Sequence, residues 1–393
     1  MEAVIVGVGL HPFGRFHGKS AMDMAADAVR TALGDAGVGW PQVQAGFVGS
    51  LEVYNPDAIV GRLGLTGVPL RGVFNGCATA GTAVAMAARA IETGEHDLTI
   101  AIGMDKHPRG AFAADPSVAG LPAWYGQTGM FLTTHFFGMK INRYMHDHGI
   151  THQTLAKVAA KNFRNASGND KAWRRTPLSE AEILASPVLN YPLRQFMYCG
   201  PDEGAAAVVL CRADQAHKYA GRPIRVRASA LRSRRVGAFE VQSPSVPAGP
   251  SLSAGPSWSA GEQAPSPTVD ASREAYEIAG IGPQDVAVAQ LQDTDAGSEI
   301  IHLAENGLCQ DGEQERMIAD GETEIGGRLP VNTDGGLIGN GEPIGASGLR
   351  QIHELVLQLR GTAGARQVPG EPAVGYAHLY GAPGVSAVTI LST

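Results

Sequence analysis

The segment Asn75-Gly76-Cys77-Ala78-Thr79-Ala80-Gly81 restricts this chain to folds that can bury a helix of small residues. Residues 68–74, just before it, are apolar enough to predict a strand that enters a core. Residues 81–90 predict a helix small enough to be buried on all sides. Cys77 then lies at the strand-to-helix turn, where unpaired N–H groups and the helix dipole favour a thiolate. The position suits a nucleophile, although a buried structural cysteine explains it equally well.

Apolar runs of strand length alternate with helical patterns, which predicts α/β layers around a mostly buried sheet. Strands are predicted at residues 4–7, 45–50, 98–103, 206–210, 224–228, 286–291 and 385–391. Helices are predicted at residues 21–36, 81–93, 152–166, 271–279 and 346–360. A chain of 393 residues is longer than one core usually supports, so two core units are expected. Glycine, with 51 residues in the chain, is more frequent than its usual share of ~7%, which fits many tight turns.

Two stretches interrupt this alternation. Residues 106–192 are richer in aromatic, histidine and basic side chains than the rest of the chain. Residues 243–268 are dense in Ser, Pro, Gly and Ala, a composition typical of a flexible linker. Within a layered fold, the second stretch is expected to line the mouth of a pocket, with Trp258 packed on an apolar surface.

Composition excludes several classes of function. A net charge of -7 with 18% charged residues predicts no nucleic-acid-binding face. The four cysteines are far apart, which indicates neither a metal site nor a disulfide framework. No apolar run approaches the ~18 residues of a membrane span. The first residues lack a signal pattern and the last lack a peroxisomal address, so a cytoplasmic location is expected.

Three further motifs lie in the rest of the chain: CGPDEGAAA at residues 199–207, NTDGG followed by GEPIGASG within residues 332–348, and HLYGAPG at residues 378–384. Together with the Cys77 turn, and in this order, they resemble the thiolase superfamily, nearest to its sterol-carrier-protein type. The resemblance extends from the first strand to the end of the chain. It implies two similar halves, residues 1–220 and 221–393, stacked as α-β-α-β-α layers. It also implies that residues 106–192 are a loop domain inserted into the first half to cover coenzyme A.

The resemblance assigns roles to residues at two of the motifs. Cys77 matches the cysteine that thiolases acylate, and His378 stands where the sterol-carrier type has a histidine. An imidazole with a pKa near neutrality suits proton transfer at the α-carbon of a thioester. The main chain of the final loop, at Tyr380 and Gly381, is expected to form an oxyanion hole together with the N–H of Cys77.

Glu342 departs from the family pattern. It replaces a histidine that activates the cysteine and donates to the thioester oxygen, and its negative charge would raise the pKa of Cys77. If burial kept Glu342 protonated it could donate, or it could act as a base for another substrate. Nearby, Asp293 matches the aspartate of a water-positioning motif, but Gln292 replaces the flanking histidine. The residues expected to shape the site are Asn75, Asp293, Gly341, Pro343 and Ser347.

The sequence therefore predicts a thiolase-like enzyme that makes or breaks a C–C bond of a 3-oxoacyl-CoA through an acyl-cysteine on Cys77. Coenzyme A is expected as substrate or product, with no permanently bound cofactor and no metal. One alternative is a retro-aldol lyase of a β-hydroxyacyl-CoA that works with a small OB-fold, zinc-ribbon partner. Another is a non-catalytic subunit that binds acyl-CoA or lipid. A homodimer or a dimer of dimers is expected.

Several other side chains have a plain and a functional interpretation. His146, His148 and His152 have helical spacing without a set of metal ligands, which indicates a solvated or pocket-edge helix. Cys199 and Cys309 are interpreted as structural. A basic cluster is either a solvated helix face or a site for the phosphates of coenzyme A. Its members are Lys157, Lys161, Arg164, Lys171, Arg174 and Arg175.

Overall fold

The computed structural model describes residues 1–112, 115–119, 123–129, 132–235, 264–382 and 384–393. Within these ranges, the strands are β1 (Ala3–Gly14), β2 (Ala45–Gly49), β3 (Leu70–Val73), β4 (Leu98–Lys106), β5 (Val188–Asn190), β6 (Leu193–Arg194), β7 (Glu203–Arg212), β8 (Ile224–Ser233), β9 (Val288–Gln290), β10 (Val374–Gly381) and β11 (Val385–Ser392). The helices are α1 (Ala21–Ala36), α2 (Val60–Leu63), α3 (Thr79–Glu92), α4 (Ala123–Gln127), α5 (Thr133–His148), α6 (His152–Ser167), α7 (Glu180–Ala185), α8 (Pro267–Ala279), α9 (Ala296–Glu305), α10 (Gln314–Ala319), α11 (Gly336–Asn340) and α12 (Ile344–Arg360).

The large sheet has nine strands in the order β3-β2-β4-β7-β1-β8-β11-β10-β9. The pairs β2/β3, β2/β4 and β9/β10 are parallel, and the other pairs are antiparallel. Strands β1 and β8 meet only at Val4–Arg225 and Ile5–Ile224. This narrow junction divides the sheet into a five-stranded part from the first half of the chain and a four-stranded part from the second.

Helices α3 and α12 lie between these two parts and contact strands of both. Helix α1 covers the other face of the five-stranded part, and α8 covers the other face of the four-stranded part. The layers are therefore α-β-α-β-α, and the predicted layered α/β fold is confirmed. The small residues of α3 follow from this place. A Cβ atom at Gly81 would lie 2.7 Å from the Cβ of Ala387 on β11, and one at Gly348 of α12 would lie 2.9 Å from the Cβ of Ala80.

Local sequence signals set the ends of several helices. At the start of α1, the hydroxyl of Ser20 accepts the main-chain N–H of Asp23, and the Asp23 carboxylate accepts the N–H of Ser20. This capping box satisfies two main-chain donors at once. The same helix ends at Gly37, which has a φ of 70°, a conformation that glycine adopts at little cost. Because both signals are local, residues 21–36 match the sequence prediction at both ends.

Some predictions differ from the structure. The motif that begins at His378 was expected to be a glycine loop, but residues 374–381 are strand β10 and the turn follows them. Helices α5 and α9 were not predicted. Their apolar residues face neighbouring helices rather than the sheet: α5 packs against α9, and α9 packs against both α5 and α6. The boundary between residues 220 and 221 stays a prediction, as does the loop domain, although α4 to α7 do lie between β4 and β7.

None of the helices within the described ranges is both long and apolar enough to cross a bilayer. Residues 243–263, including Trp258, lie outside the described residues, so the predicted pocket mouth remains a prediction.

Candidate active site

Cys77 lies at a tight turn between β3 and α3. Gly76 has a φ of 56°, a left-handed conformation that favours glycine, and α3 begins two residues after Cys77. Asn75 braces the turn, since its main-chain N–H donates to Thr79 Oγ1 and its side-chain amide donates to Thr82 Oγ1, both across 2.8 Å. The Cys77 side chain is half-buried. The turn therefore holds the thiol at the start of the central helix.

The end of β10 packs against this turn. A Cβ atom at Gly76 would lie 2.8 Å from the main-chain oxygen of Ala382, and one at Gly381 would lie 3.2 Å from the main-chain nitrogen of Cys77. Glycine at both positions lets the two main chains touch. His378 lies three residues before Gly381 on the same strand. The contact is between main chains, and among the described residues no hydrogen bond joins the Cys77 and His378 side chains.

Glu342 is fully buried beside the Cys77 thiol. It accepts hydrogen bonds from Cys199 Sγ across 3.3 Å and from Gln292 Nε2 across 3.0 Å, and it also interacts with the Cys77 thiol. Its main-chain N–H donates to the oxygen of Gly200 across 3.0 Å. The carboxylate is thus shared by two thiols and one amide, which are all donors to an ionised glutamate.

Charge and burial both shift the pKa values of Cys77 and Glu342. Burial raises the pKa of Cys77 well above its usual range, and the Glu342 carboxylate raises it further by charge and by hydrogen bonding. A raised pKa favours the thiol form of Cys77 over the helix-stabilised thiolate that the sequence predicted. Burial also raises the pKa of Glu342, while the hydrogen bonds from Cys77, Cys199 and Gln292 oppose that rise.

The start of α12 is fixed by residues that end β4. The N–H of Gly345 donates to Asp105 Oδ2 across 2.7 Å, and the N–H of Ile344 donates to His107 Nε2 across 3.0 Å. Because Nε2 accepts that bond, the ring proton is on Nδ1, which donates to Glu52 Oε1 across 2.8 Å. Two main-chain donors of the helix terminus are thereby satisfied by side chains. Glu342 stands directly before this fixed terminus.

His378 lies inside strand β10 and is fully buried. Its Nε2 is 3.1 Å from Thr268 Oγ1, and its Nδ1 has no hydrogen-bond partner among the described residues. Burial lowers the pKa of His378 well below its usual value, and the nearby His302 lowers it further. The expected pKa near neutrality is therefore wrong, and the imidazole is neutral at physiological pH. The buried Tyr380 has its ring beside Lys140, whose Nζ lies 4.8 Å from the ring centroid.

The remaining predicted site residues lie around Glu342. Asp293 is buried and accepts the N–H groups of Leu337 (2.6 Å) and Ile338 (3.2 Å) at the start of α11, so it orders the approach to Glu342. Burial raises the pKa of Asp293, and Glu299 raises it further. Gly341 has a φ of 96°, and a Cβ atom there would overlap the Asp202 carboxylate.

Pro343 and Ser347 belong to the beginning of α12. Pro343 caps the start of the helix and has an extended backbone conformation. Proline has no main-chain N–H group, and none is needed at this position. Ser347 is fully buried, and its hydroxyl is 3.5 Å from the oxygen of Ile344. Both therefore shape the helix terminus and do not contact the Cys77 thiol by hydrogen bonding.

Sequence reasoning missed two members of the site. Cys199 was interpreted as structural, yet its thiol contacts Glu342. Its position inside the CGPDEGAAA motif was the available signal. His302, one turn before the end of α9, packs on His378 with ring centroids 4.5 Å apart. No local pattern pointed to it, because helix α9 itself was not predicted.

The basic cluster divides into residues with different partners. Lys161 is buried in an ion pair with Glu299, and it also donates to the oxygen of Val331 across 3.1 Å. Arg174 donates to the main-chain oxygens of Tyr198 and Ile338. Both interpretations of the cluster, a solvated face and a phosphate site, are wrong for Lys161.

The histidines near residue 150 form no metal site. His146 is exposed beside Asp147, and the His152 ring is near Tyr191. Across the described ranges, no group of three or more His, Cys, Asp and Glu side chains is placed to hold a metal ion.

Two family models match the chain. The model of the thiolase N-terminal domain matches residues 3–175, and the model described as thiolase C-terminal domain-like matches residues 258–393. The first contains Cys77, and the second contains Glu342 and His378.

Three curated relatives align over nearly the whole chain. Acetyl-CoA acetyltransferase of Methanothermobacter thermautotrophicus is 32% identical, with 100% of this chain and 99% of the relative covered. Benzoylsuccinyl-CoA thiolase subunit BbsB of Thauera aromatica is 31% identical, with 97% and 94% covered. Sterol carrier protein 2 of Oryctolagus cuniculus is 30% identical, with 98% of this chain and 71% of the relative covered.

Among solved structures, the Ltp2-ChsH2(DUF35) aldolase superposes with a TM-score of 0.85 at 26% identity, covering 100% of this chain and 98% of the other. Its overall fold is therefore shared along the full length of the chain.

Proposed function

The chain belongs to the thiolase superfamily, in its sterol-carrier-protein type, and from this premise we propose that it makes or breaks a C–C bond of a 3-oxoacyl-CoA through an acyl-cysteine on Cys77. The observation that carries the proposal is the fully buried Glu342 carboxylate beside the Cys77 thiol, where its negative charge acts on the thiol. A thiol with a raised pKa needs a base in contact with it, and Glu342 is that base. Its own raised pKa brings its proton affinity closer to that of the thiol.

In the cleavage direction, Glu342 takes the proton of Cys77 as the sulfur attacks the 3-oxo carbon. The new S–C bond forms, and the bond between C2 and C3 breaks to leave the enolate of a shorter acyl-CoA. The enolate carbon gains one proton, and the sulfur has lost one. The first half-reaction therefore balances without an external acid, through the protonated form of Glu342.

In the second half-reaction, the thiol of free coenzyme A attacks the acyl group on Cys77. His378 is neutral because burial and His302 lower its pKa, and a neutral imidazole has the charge state of a base. It takes the thiol proton of coenzyme A as the new thioester bond forms and the bond between the acyl group and Cys77 breaks, and the leaving Cys77 sulfur receives that same proton. In the synthetic direction the same steps run in reverse, so Glu342 removes the α-proton of the acyl-CoA that becomes the nucleophile and returns it to the leaving Cys77 sulfur.

The main-chain N–H groups of Cys77 and Tyr380, with the Gly381 turn beside them, are proposed to stabilise the oxyanion. The proximity of the Cys77 main chain to Gly381 supports this assignment. Coenzyme A is proposed as substrate or product rather than a resident cofactor, as the acetyltransferase relative's name suggests.

The test is intact-mass spectrometry after incubation with a panel of short- and long-chain 3-oxoacyl-CoA and acyl-CoA thioesters. We expect an acyl adduct on the parent protein and none on Cys77→Ala. Cys211→Ala is the matched control, since Cys211 is a buried thiol on β7 that donates to its neighbour's main-chain oxygen, and this variant keeps the adduct. Measurable binding without an adduct on the parent protein would overturn the acyl-cysteine.

The second candidate is retro-aldol cleavage of a β-hydroxyacyl-CoA. The likeness to the Ltp2-ChsH2(DUF35) aldolase favours it, because that protein is similar along the whole chain. Such cleavage needs a base for the hydroxyl group and no acyl-cysteine, so Glu342 would serve and Cys77 would be dispensable. Release of an aldehyde or ketone by Cys77→Ala as fast as by the parent protein would select this reaction.

The same experiment separates a binding subunit from an enzyme. A chain that binds acyl-CoA tightly, forms no adduct and cleaves neither substrate class is a binding subunit. The proposal includes a partner protein. Two names support this: the benzoylsuccinyl-CoA thiolase relative is called a subunit, and the aldolase is named for two components, Ltp2 and ChsH2. A small OB-fold, zinc-ribbon protein that co-purifies with the chain would agree with it.

We also propose that the chain forms a homodimer, or a dimer of dimers, through strand β3. This strand is one edge of the large sheet, where unpaired main-chain groups can bind another strand. Exposed apolar side chains surround it: Leu51, Tyr54, Leu65, Phe74 and Met86. Light scattering on the full chain gives the test, and a Phe74→Asp variant should shift the mass toward the monomer.

A further inference from the structure

A group of charged and titratable side chains lies behind His378, on the face of β10 that is turned away from the central helices. We call it the His302 cluster: His302 and Glu305 of α9, and Lys140 of α5. The rings of His302 and His378 are 4.5 Å apart between centroids, with their planes at 56°. His302 is 1% exposed, so its contact with His378 excludes solvent from that side of the ring.

The cluster is anchored at three points. His302 Nδ1 is 2.8 Å from Glu305 Oε2, one helical turn away. Glu305 Oε1 is 3.8 Å from Lys140 Nζ, which in turn lies over the ring of Tyr380. Since Glu305 accepts at Nδ1, the proton of a neutral His302 is on Nδ1. A carboxylate that orients an imidazole in this way fixes both its tautomer and its ring plane.

Charges in the cluster act on His378 in opposite directions. Burial is the largest cause of its lowered pKa, His302 and Lys140 lower it further, and Glu305 raises it. Burial raises the pKa of Glu305 itself, but Lys140 and His302 outweigh that effect, so Glu305 stays ionised.

The other elements around His378 bring no charge to it. Helix α8 contributes the hydroxyl of Thr268, and α12 contributes the amide of Gln351, which donates to the main-chain oxygen of His378 across 3.2 Å. On β10 itself, Tyr380 follows two residues later on the same face. Among the described residues, the His302 cluster therefore supplies the charges that shift the pKa of His378.

We propose that His302 and Glu305 are positioning residues for His378: His302 holds the His378 ring plane by packing against it, and Glu305 fixes the orientation of His302. The inference rests on the proposed function, in which His378 is the acid–base group. It adds two residues that the family motifs at Cys77, Glu342 and His378 do not contain.

The test reads His378 directly, so it does not depend on turnover. Full-length protein with ¹³Cε1-labelled histidine is titrated by NMR from pH 3.5 to 8.5, and the His378 signal is assigned by its loss in His378→Asn. We expect His302→Gln to move the His378 titration to higher pH, because His302 lowers the pKa of His378 and the ring that packs against it is removed. Glu305→Gln should move it to lower pH, because an anion is removed.

The internal control is His353 on α12, whose pKa is lowered to about 4 by burial and by Arg366. Its signal should not change in either variant. An unchanged His378 signal in both variants would overturn the proposal, and so would shifts of the same sign. If His302→Gln fails to fold, the nearly isosteric Glu305→Gln decides the matter alone.

Kinetics then separate this inference from the proposed function. If the acyl adduct forms on the parent protein, both variants should lower kcat with little change in KM, and the pH profile should move with the His378 titration. If no adduct forms but the NMR shifts appear, the proposed function fails while the positioning role stands.

Discussion

The thiol of Cys199 donates to Glu342 Oε2 across 3.3 Å, on the carboxylate that also receives the Cys77 thiol. Two thiols therefore share one buried base. Since a hydrogen bond to the carboxylate favours its ionised form, Cys199 lowers the pKa of Glu342.

Replacing Cys199 tests this arrangement. The hydrogen bond from Cys199 lowers the pKa of Glu342, so Cys199→Ala should raise that pKa. Activity that needs the ionised carboxylate should then be lost at a higher pH on the acid side of the profile. Cys199→Ser, which keeps a donor, should stay close to the parent profile, and identical profiles for Ala and Ser would show that the hydrogen bond has no such effect.

Glu342→Gln should separate the reactivity of Cys77 from its turnover. The Glu342 charge raises the pKa of Cys77, so its removal lowers that pKa and speeds alkylation of Cys77 by iodoacetamide near neutral pH. Turnover should fall by about 10²–10⁴-fold, the range for loss of a general base. Alkylation is followed by peptide mass mapping. Glu324→Gln, at an exposed ion pair with Arg164, serves as the control and should change neither quantity.

Lys161→Met should destabilise the protein by about 3–5 kcal/mol, because it leaves the buried Glu299 charge without its cation. Urea unfolding of full-length protein measures the change. On the same helix, Arg164→Met breaks an exposed pair and should cost at most ~1 kcal/mol. Equal costs for the two variants would mean that the buried pair contributes no more than a surface pair.

Gly341→Ala should impair the site through its backbone. Gly341 has a φ of 96°, and an added Cβ would overlap the Asp202 carboxylate next to Glu342. Gly361→Ala is the matched control, since Gly361 has a φ of 73° with open space around it. The control should lose ~1–2 kcal/mol of stability for the left-handed backbone alone. Gly341→Ala should lose more and should also lower kcat, whereas equal losses with unchanged kcat would show that the clash is relieved locally.

The fold follows from local signals to a large extent. The ends of α1 and the small residues of α3 are readable in the sequence, because caps and residue size act over a few positions. The Cys77 turn and Glu342 are found from motifs in the same way. By contrast, His302 reaches His378 across 76 residues of chain, and Lys161 reaches Glu299 across 138. Such pairs depend on how α5, α6 and α9 pack, which no periodicity within one segment reveals.

The proton affinities were the least predictable part. Position at a helix start suggested a thiolate at Cys77, and residue type suggested a titrating imidazole at His378. Burial reverses both expectations, since it disfavours the charged form of each group. How deeply a given atom is buried depends on how the layers pack together, so it cannot be predicted from the residue type or its local sequence.

The hydrogen bonds that attach the start of α12 to the end of β4 join the two halves of the chain at the site. Asp105 and His107 come from the first half of the chain, whereas Ile344 and Gly345, whose N–H groups they accept, come from the second. A polypeptide cut near residue 220 would yield one piece with Cys77 and another with Glu342, and the second piece would lack the side chains that fix the helix terminus after Glu342. The position of Glu342 therefore depends on side chains from both sides of that cut.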